Sequence, residues 1–215
     1  GLGGSVISSG RPQIYVDLDD VLAETGRAFL RVLESEFGKR VDWNEIHDYD
    51  LGVSLGLGEE ELTEFMHAVH RPEVLASVVP MGGALAALAA WVEGGYDIEV
   101  VTGRPGATEG ISRQWLRDHQ IPHHSLIHVD KYAWEEELLG TSSGVPLGRL
   151  AGNGYRLAVE DSAEVAIRLS EILDAPVAVL DRPWNRRRLD EFGDAEGRIV
   201  RCESWAEIRE RFPAP

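Results

Sequence analysis

Short apolar runs alternate with longer amphipathic stretches along much of this chain, and that alternation limits the fold more than any other feature. Ile14-Tyr15-Val16, "DIEVV" at 97–101, "SLIHV" at 125–129, "YRLAV" at 155–159, "PVAVL" at 176–180 and "GRIVRC" at 197–202 have the length and composition of strands. Between them lie helical patterns such as "TEGISRQWLRDHQ", with Ile111, Trp115 and Leu116 on one face, and "SAEVAIRLSEILD". A closing helix, "SWAEIRERF", carries Ser204 and Glu207 at capping-box spacing. Strands that alternate with helices predict an α/β fold with a mostly parallel central sheet flanked by helices.

The stretch from residue 21 to residue 80 breaks the alternation. "VLAETGRAFLRVLESEFG" places Leu22, Phe29, Leu30, Leu33 and Phe37 at helical spacing, with Gly38 as a stop. "GEEELTEFMHAVHRP" has the apolar stripe Leu62, Phe65, Met66, Val69, and Pro72 follows its end. His67 and His70 fall on this helix and are expected at its surface. "VDWNEIHDYDL" has no clear period. The expected organisation is a tail over 1–12, a core over 13–20 and 81–215, and a helical insertion over 21–80. "KYAWEEELLG" reads as a short helix and "TSSGVPLGRLAGNG" as a loop. "WNRRR" at 184–188 reads as a solvated basic face in an acidic chain. Trp91, Trp115 and Trp205 sit at core spacing, and His119, His123, His124 and His128 are split by Pro122, which removes the helical register a metal site would need.

In parallel α/β sheets ligands sit beyond the carboxyl ends of the strands. The residues there are Asp17, Asp19 and Asp20 after the first strand, Thr102-Gly103-Arg104 after the second, Lys131 after the third, and Glu160-Asp161 after the fourth. Like charges crowded at a strand end need a cation, since buried carboxylates repel and lose hydration. Asp17 and Asp161 suit Mg²⁺ as hard oxygen ligands. Lys131, Thr102 and the backbone N–H groups around Gly103 suit phosphate oxygens. Asp20 reads as the start of the following helix. The net charge of -16 disfavours nucleic-acid polymers and anionic membranes as partners, and no apolar run is long enough to span a bilayer. The single cysteine, Cys202, can form no intrachain disulfide, which fits a cytoplasmic protein.

"DLDDV", "VVTGR", Lys131 and "VEDS" stand in the order of the four motifs of the haloacid dehalogenase superfamily, which the chain resembles from Tyr15 to Ser162. The resemblance implies a Rossmann-like core with a helical C1 cap inserted after the first strand. It implies Asp17 as a nucleophile that becomes an aspartyl-phosphate, and Asp19 as the acid and base. Thr102, Gly103 and Lys131 would hold the phosphoryl group. Mg²⁺ would lie on Asp17, the backbone carbonyl of Asp19, and Asp161. An acid two residues after the nucleophile points to phosphomonoester hydrolysis. "VDLDDVLAET", "DWNEIHDYDL", "VTGRP" and "LDRPWNR" resemble the 5′(3′)-deoxyribonucleotidase-like branch. That implies a nucleoside monophosphate as substrate, with Trp43 and Tyr49 as candidate base contacts. By their positions, Glu160 reads as a support of the metal, and Arg104 as either a substrate contact or a solvated loop arginine. Two alternatives remain open: a phosphatase for a sugar phosphate or other small metabolite, and a non-catalytic ligand-binding protein on the same core.

Overall fold

The computed structural model describes residues 10–47, 51–133 and 144–215. These residues form a six-stranded sheet in the order β3-β2-β1-β4-β5-β6. The strands are β1 (Gln13–Asp17), β2 (Asp97–Thr102), β3 (Ser125–His128), β4 (Tyr155–Glu160), β5 (Val177–Leu180) and β6 (Ile199–Cys202), and every strand pairing is parallel. The helices are α1 (Thr25–Phe37), α2 (Leu51–Leu55), α3 (Glu59–Val69), α4 (Pro72–Ala76), α5 (Ala84–Glu93), α6 (Glu109–Asp118), α7 (Ala163–Ile172), α8 (Pro183–Phe192) and α9 (Trp205–Arg211).

Side chains alternate across β1, and each face has its own core. Ile14 and Val16 pack with Leu88 and Trp91 of α5, Trp115 and Leu116 of α6, and Trp205 and Ile208 of α9. Tyr15 turns to the other face, with Val165, Ala166 and Leu169 of α7 and with Leu147 and Leu150. The α/β fold and the packing tryptophans are as the sequence predicts. Val32, Leu33, Leu55, Leu57, Phe65, Val69 and Val74 form a third apolar cluster, between α1 and α4. Val21, Leu22, Ala23 and Val78 belong instead to the core over the sheet.

Three local readings change. Residues 183–192 are helix α8, opened by Pro183: the arginines 186–188 keep the solvent face expected of the basic run, while Trp184, Asn185 and Leu189 are buried. Leu147–Asn153 form a 3₁₀ helix where a loop is expected. At α9 the Ser204 side chain accepts from the Glu207 N–H, but Glu207 accepts from the N–H of Glu203 rather than Ser204, so the capping box closes one residue early. The helix expected over "KYAWEEELLG" lies largely outside the described residues.

Candidate active site

β1 lies between β2 and β4, so the chain leaves it on both sides and a crevice opens at its carboxyl end. Asp17 is its last residue. Its Oδ1 accepts from the Leu18 N–H at 2.8 Å and from Lys131 Nζ at 2.7 Å, which fixes the rotation of the carboxylate. Lys131 Nζ also donates to Glu160 Oε2 at 3.0 Å. Lys131, Asp17, Glu160 and Asp161 are all buried. Burial, then Glu160 and then Asp161 push the Asp17 pKa well above the usual carboxylate range, against the pull of Lys131. Lys131 remains a cation because Asp17 and Glu160 outweigh its own loss of hydration.

Asp17, Glu160 and Asp161 each offer an oxygen, and these oxygens lie within 4.8 Å of one another. Lys131 pairs with two of them, Asp17 and Glu160. Such a cluster of hard oxygens short of positive charge fits a divalent cation such as Mg²⁺. Glu160 is the least free of the three. Its Oε2 accepts from Tyr15 Oη and Lys131, and its Oε1 from the N–H groups of Asp161 and Ser162. Asp161 is held by α8: Trp184 Nε1 donates to its Oδ2 at 3.0 Å, and Asn185 Nδ2 to its carbonyl at 2.8 Å.

Asp19 is in the grip of an arginine, with the Lys131 charge as a weaker influence. Arg104 Nη2 donates to its Oδ1 at 2.6 Å and Arg104 Nε to both oxygens at 3.1 Å. Thr25 Oγ1 adds a hydrogen bond at 2.5 Å. Burial alone would raise the Asp19 pKa; Arg104 and Thr25 bring it below the usual value, so the carboxylate is ionised. The Arg104 side chain is 2% exposed, and its Nη1 donates to Ser112 Oγ. It is therefore no solvated loop arginine.

Thr102 is fully buried at the end of β2, where its Oγ1 accepts from the Arg104 N–H; the neighbouring Gly103 and Arg104 line the crevice. Asp20 has a φ of 59°, in the left-handed region that Asp tolerates better than most side chains. Its Oδ1 accepts from the Gly26 N–H in the first turn of α1, and Arg182 Nη2 donates to its carbonyl. This is the helix-starting role expected of it, although the same carboxylate also lines the crevice.

The crevice continues into a cavity of about 380 Å³, toward the lower end of the range usual for small-molecule sites, roughly 300–1,000 Å³. Its sheet side carries the carboxylates, Lys131 and Arg104; its helical side carries Phe29, Leu30, Ile46, Phe65, Met66 and His70. Trp43 takes no part in that lining. Its ring packs edge-on against Trp184 at 4.8 Å, with the Arg27 guanidinium 4.5 Å above it. Tyr49 lies outside the described residues. The aromatic wall is instead Phe29, set edge-to-face on Phe65. His70, expected at the surface, is half-buried and lines the cavity. The i,i+4 relation between Met66 and His70 was the available signal, since it puts both on one helix face. The four histidines near Pro122 are dispersed: His124 Nε2 meets Asp97 at 3.1 Å, and His123 Nδ1 meets the Ile121 carbonyl.

Residues 11–136, more than half the chain, match the family model described as 5' nucleotidase, deoxy (pyrimidine), cytosolic type C protein. The chain belongs to this nucleotidase family. It is a phosphatase on the haloacid dehalogenase fold. A relative from Halalkalibacterium halodurans, named as a candidate nucleotidase, is 24% identical over 194 residues, 90% of this chain and 89% of that protein. Among solved structures, a haloacid dehalogenase family hydrolase from Deinococcus radiodurans with bound phosphate and sodium superposes with a TM-score of 0.58 at 16% identity, covering 95% of this chain and 96% of that one. A haloacid dehalogenase-like protein of unknown function from Agrobacterium tumefaciens gives a TM-score of 0.63 at 14% identity over 95% of this chain and 98% of that one. These likenesses are of fold.

In this nucleotidase the approach of α1 to the crevice depends on Gly26. A Cβ there would lie 2.8 Å from Trp43 Cζ3 and 3.2 Å from both Asp20 carboxylate oxygens. Gly26→Ala must therefore displace the Trp43 ring or the Asp20 carboxylate. The expected loss is about 1–3 kcal/mol in an equilibrium urea melt, the usual range for overpacking. An unchanged unfolding midpoint would show that the Trp43–Trp184 contact yields freely.

Proposed function

We propose that this nucleotidase-family phosphatase hydrolyses nucleoside 5′-monophosphates, deoxyribonucleotides among them, through a phosphorylated Asp17 and with Mg²⁺. The observation that carries the reading is the continuity of the carboxylate crevice with an apolar, aromatic-walled cavity. A phosphate fits the first and a nucleobase the second. A small polar sugar phosphate would leave Phe29, Phe65, Met66 and Leu30 facing water. The family description and the candidate nucleotidase relative support the same substrate class.

Residues 21–80 serve as a cap over the core of 13–20 and 81–215 in this reading, except that Val21, Leu22, Ala23 and Val78 at its two ends pack into that core. Asp17 and Asp161, with the backbone carbonyl of Asp19, would hold Mg²⁺; Glu160, already engaged by four donors, would steady the site from behind. When bound, the ion offsets charge on the transferring phosphoryl oxygens. Asp17 attacks phosphorus, and the bond to the ester oxygen breaks as Asp19 gives that oxygen a proton. Asp19 then takes a proton from the water that attacks the aspartyl-phosphate, releasing phosphate and restoring Asp17. The ionised Asp19 held by Arg104 suits the second half; the first half requires it to carry a proton, which that grip opposes. Lys131, Thr102 and the N–H of Gly103 hold the phosphoryl group. The family's cytosolic description supports a cytoplasmic setting, and among the described residues no helix is long and apolar enough to cross a membrane.

Phosphate release from deoxyribonucleoside 5′-monophosphates tests this. The expected result is release with Mg²⁺, falling at least 100-fold with excess chelator and returning when Mg²⁺ is restored. Equal turnover with and without chelator would remove the metal from the account.

A further inference from the structure

His70 is the residue of the helical wall whose chemistry the proposed reaction leaves unused. It follows the last turn of α3, and its Nδ1 lies 2.6 Å from the carbonyl oxygen of Met66. A carbonyl only accepts, so Nδ1 carries the proton. In the neutral ring the lone pair is then on Nε2, on the ring edge turned away from the helix backbone. The Phe29 ring stands against the imidazole at 5.9 Å and 76°, which limits rotation of the histidine. Among the described residues none donates to Nε2. The apolar side chains that line the cavity with it, among them Phe29, Leu30, Ile46, Phe65 and Met66, offer no strong acceptor, and the Thr25 hydroxyl, which also lines it, is engaged with Asp19.

We infer that His70 is a specificity-determining residue whose Nε2 accepts a hydrogen bond from an N–H on the edge of the substrate's nucleobase. The inference rests on the nucleotidase reading and deepens it. An apolar cavity holds a flat ring without fixing its orientation. A single acceptor in that wall orients it and rejects rings that offer only acceptors, because the imidazole would then stay desolvated and unpaired. The contacts of His70 are with the Met66 carbonyl and the Phe29 ring rather than with Asp17, so its effect belongs in substrate binding.

The test compares kcat/KM for the best deoxyribonucleoside 5′-monophosphate with that for deoxyribose 5-phosphate, which lacks the base. His70→Phe keeps an aromatic wall and removes the acceptor. The expected result is a loss on the nucleotide at least tenfold greater than the loss on deoxyribose 5-phosphate, carried by KM, with partial recovery in His70→Gln. Equal losses on both substrates, or an undiminished nucleotide preference, would overturn the inference. Should the variants fail to fold, the wild-type enzyme provides a second arm. The best nucleotide is compared with its analogue methylated at the edge nitrogen so that no N–H remains. A tenfold or larger drop supports the inference and an equal kcat/KM overturns it. A wild-type enzyme that hydrolyses deoxyribose 5-phosphate as well as any nucleotide would instead sink the nucleotidase reading beneath it.

Discussion

Asp17→Asn is expected to lower kcat by roughly 10,000-fold or more, the scale of losing a covalent nucleophile, without weakening the fold. The first half follows from the reaction: an amide of the same shape cannot attack phosphorus. The second follows from the site. Asp17 is buried beside Glu160 and Asp161, and its folded pKa is raised. A carboxyl with a raised folded pKa contributes its full stability below the unfolded value and loses it as pH rises through the folded value. Without metal, the fold therefore disfavours ionisation of Asp17, a penalty that grows as pH rises and that Asn removes. A melt of the metal-free proteins at pH 8 should find the variant at least as stable as the wild type. A kcat within tenfold of wild type would remove Asp17 from the reaction, and a large fall in melting temperature would mean that its charge holds the fold together.

Lys131→Met is expected to do the reverse, costing both stability and turnover. The ammonium is the buried partner of Asp17 at 2.7 Å and of Glu160 at 3.0 Å. Removing one member of a buried ion pair typically costs about 3–5 kcal/mol, because the remaining charge stays desolvated and unpaired. Here two carboxylates would be left. Metal-free Lys131→Met should therefore unfold at clearly lower urea than wild type at neutral pH. Part of the loss should return as pH falls and the carboxylates take up protons, and part on adding Mg²⁺. A variant with wild-type stability across this pH range would mean that the carboxylates do not depend on the lysine.

The strand ends were legible because buried parallel strands are continuous apolar runs, and each ends in residues whose chemistry is conspicuous. Asp17, Lys131, Glu160 and Asp161 converge for that reason: each lies just beyond or at the end of a strand, and strand order brings β1 next to both β2 and β4. Contacts between distant segments were not legible. Arg104 and Asp19 are 85 positions apart, and nothing in "TGRP" announces a buried guanidinium rather than a solvated one. Trp184 was hidden inside a basic run, although Pro183 at the helix start and the apolar pair Trp184 and Leu189 were available signs of a half-buried helix. The resemblance of "DWNEIHDYDL" to the nucleotidase branch puts the aromatic base contacts at Trp43 and Tyr49. The aromatic wall lies at Phe29 and Phe65, which the helical period had already assigned to packing. The period finds the apolar face of a helix but does not say whether a neighbour or a substrate covers it.

The central claim is that phosphate passes through Asp17, and trapping that intermediate tests it most directly. Wild-type enzyme with Mg²⁺ is mixed with a ³²P-labelled deoxyribonucleoside 5′-monophosphate, quenched in acid within a turnover, and digested. The account predicts label that hydroxylamine releases, on the peptide containing Asp17, and none in Asp17→Asn. Phosphate release by the wild type with no label on that peptide, or label that persists in Asp17→Asn, would contradict it.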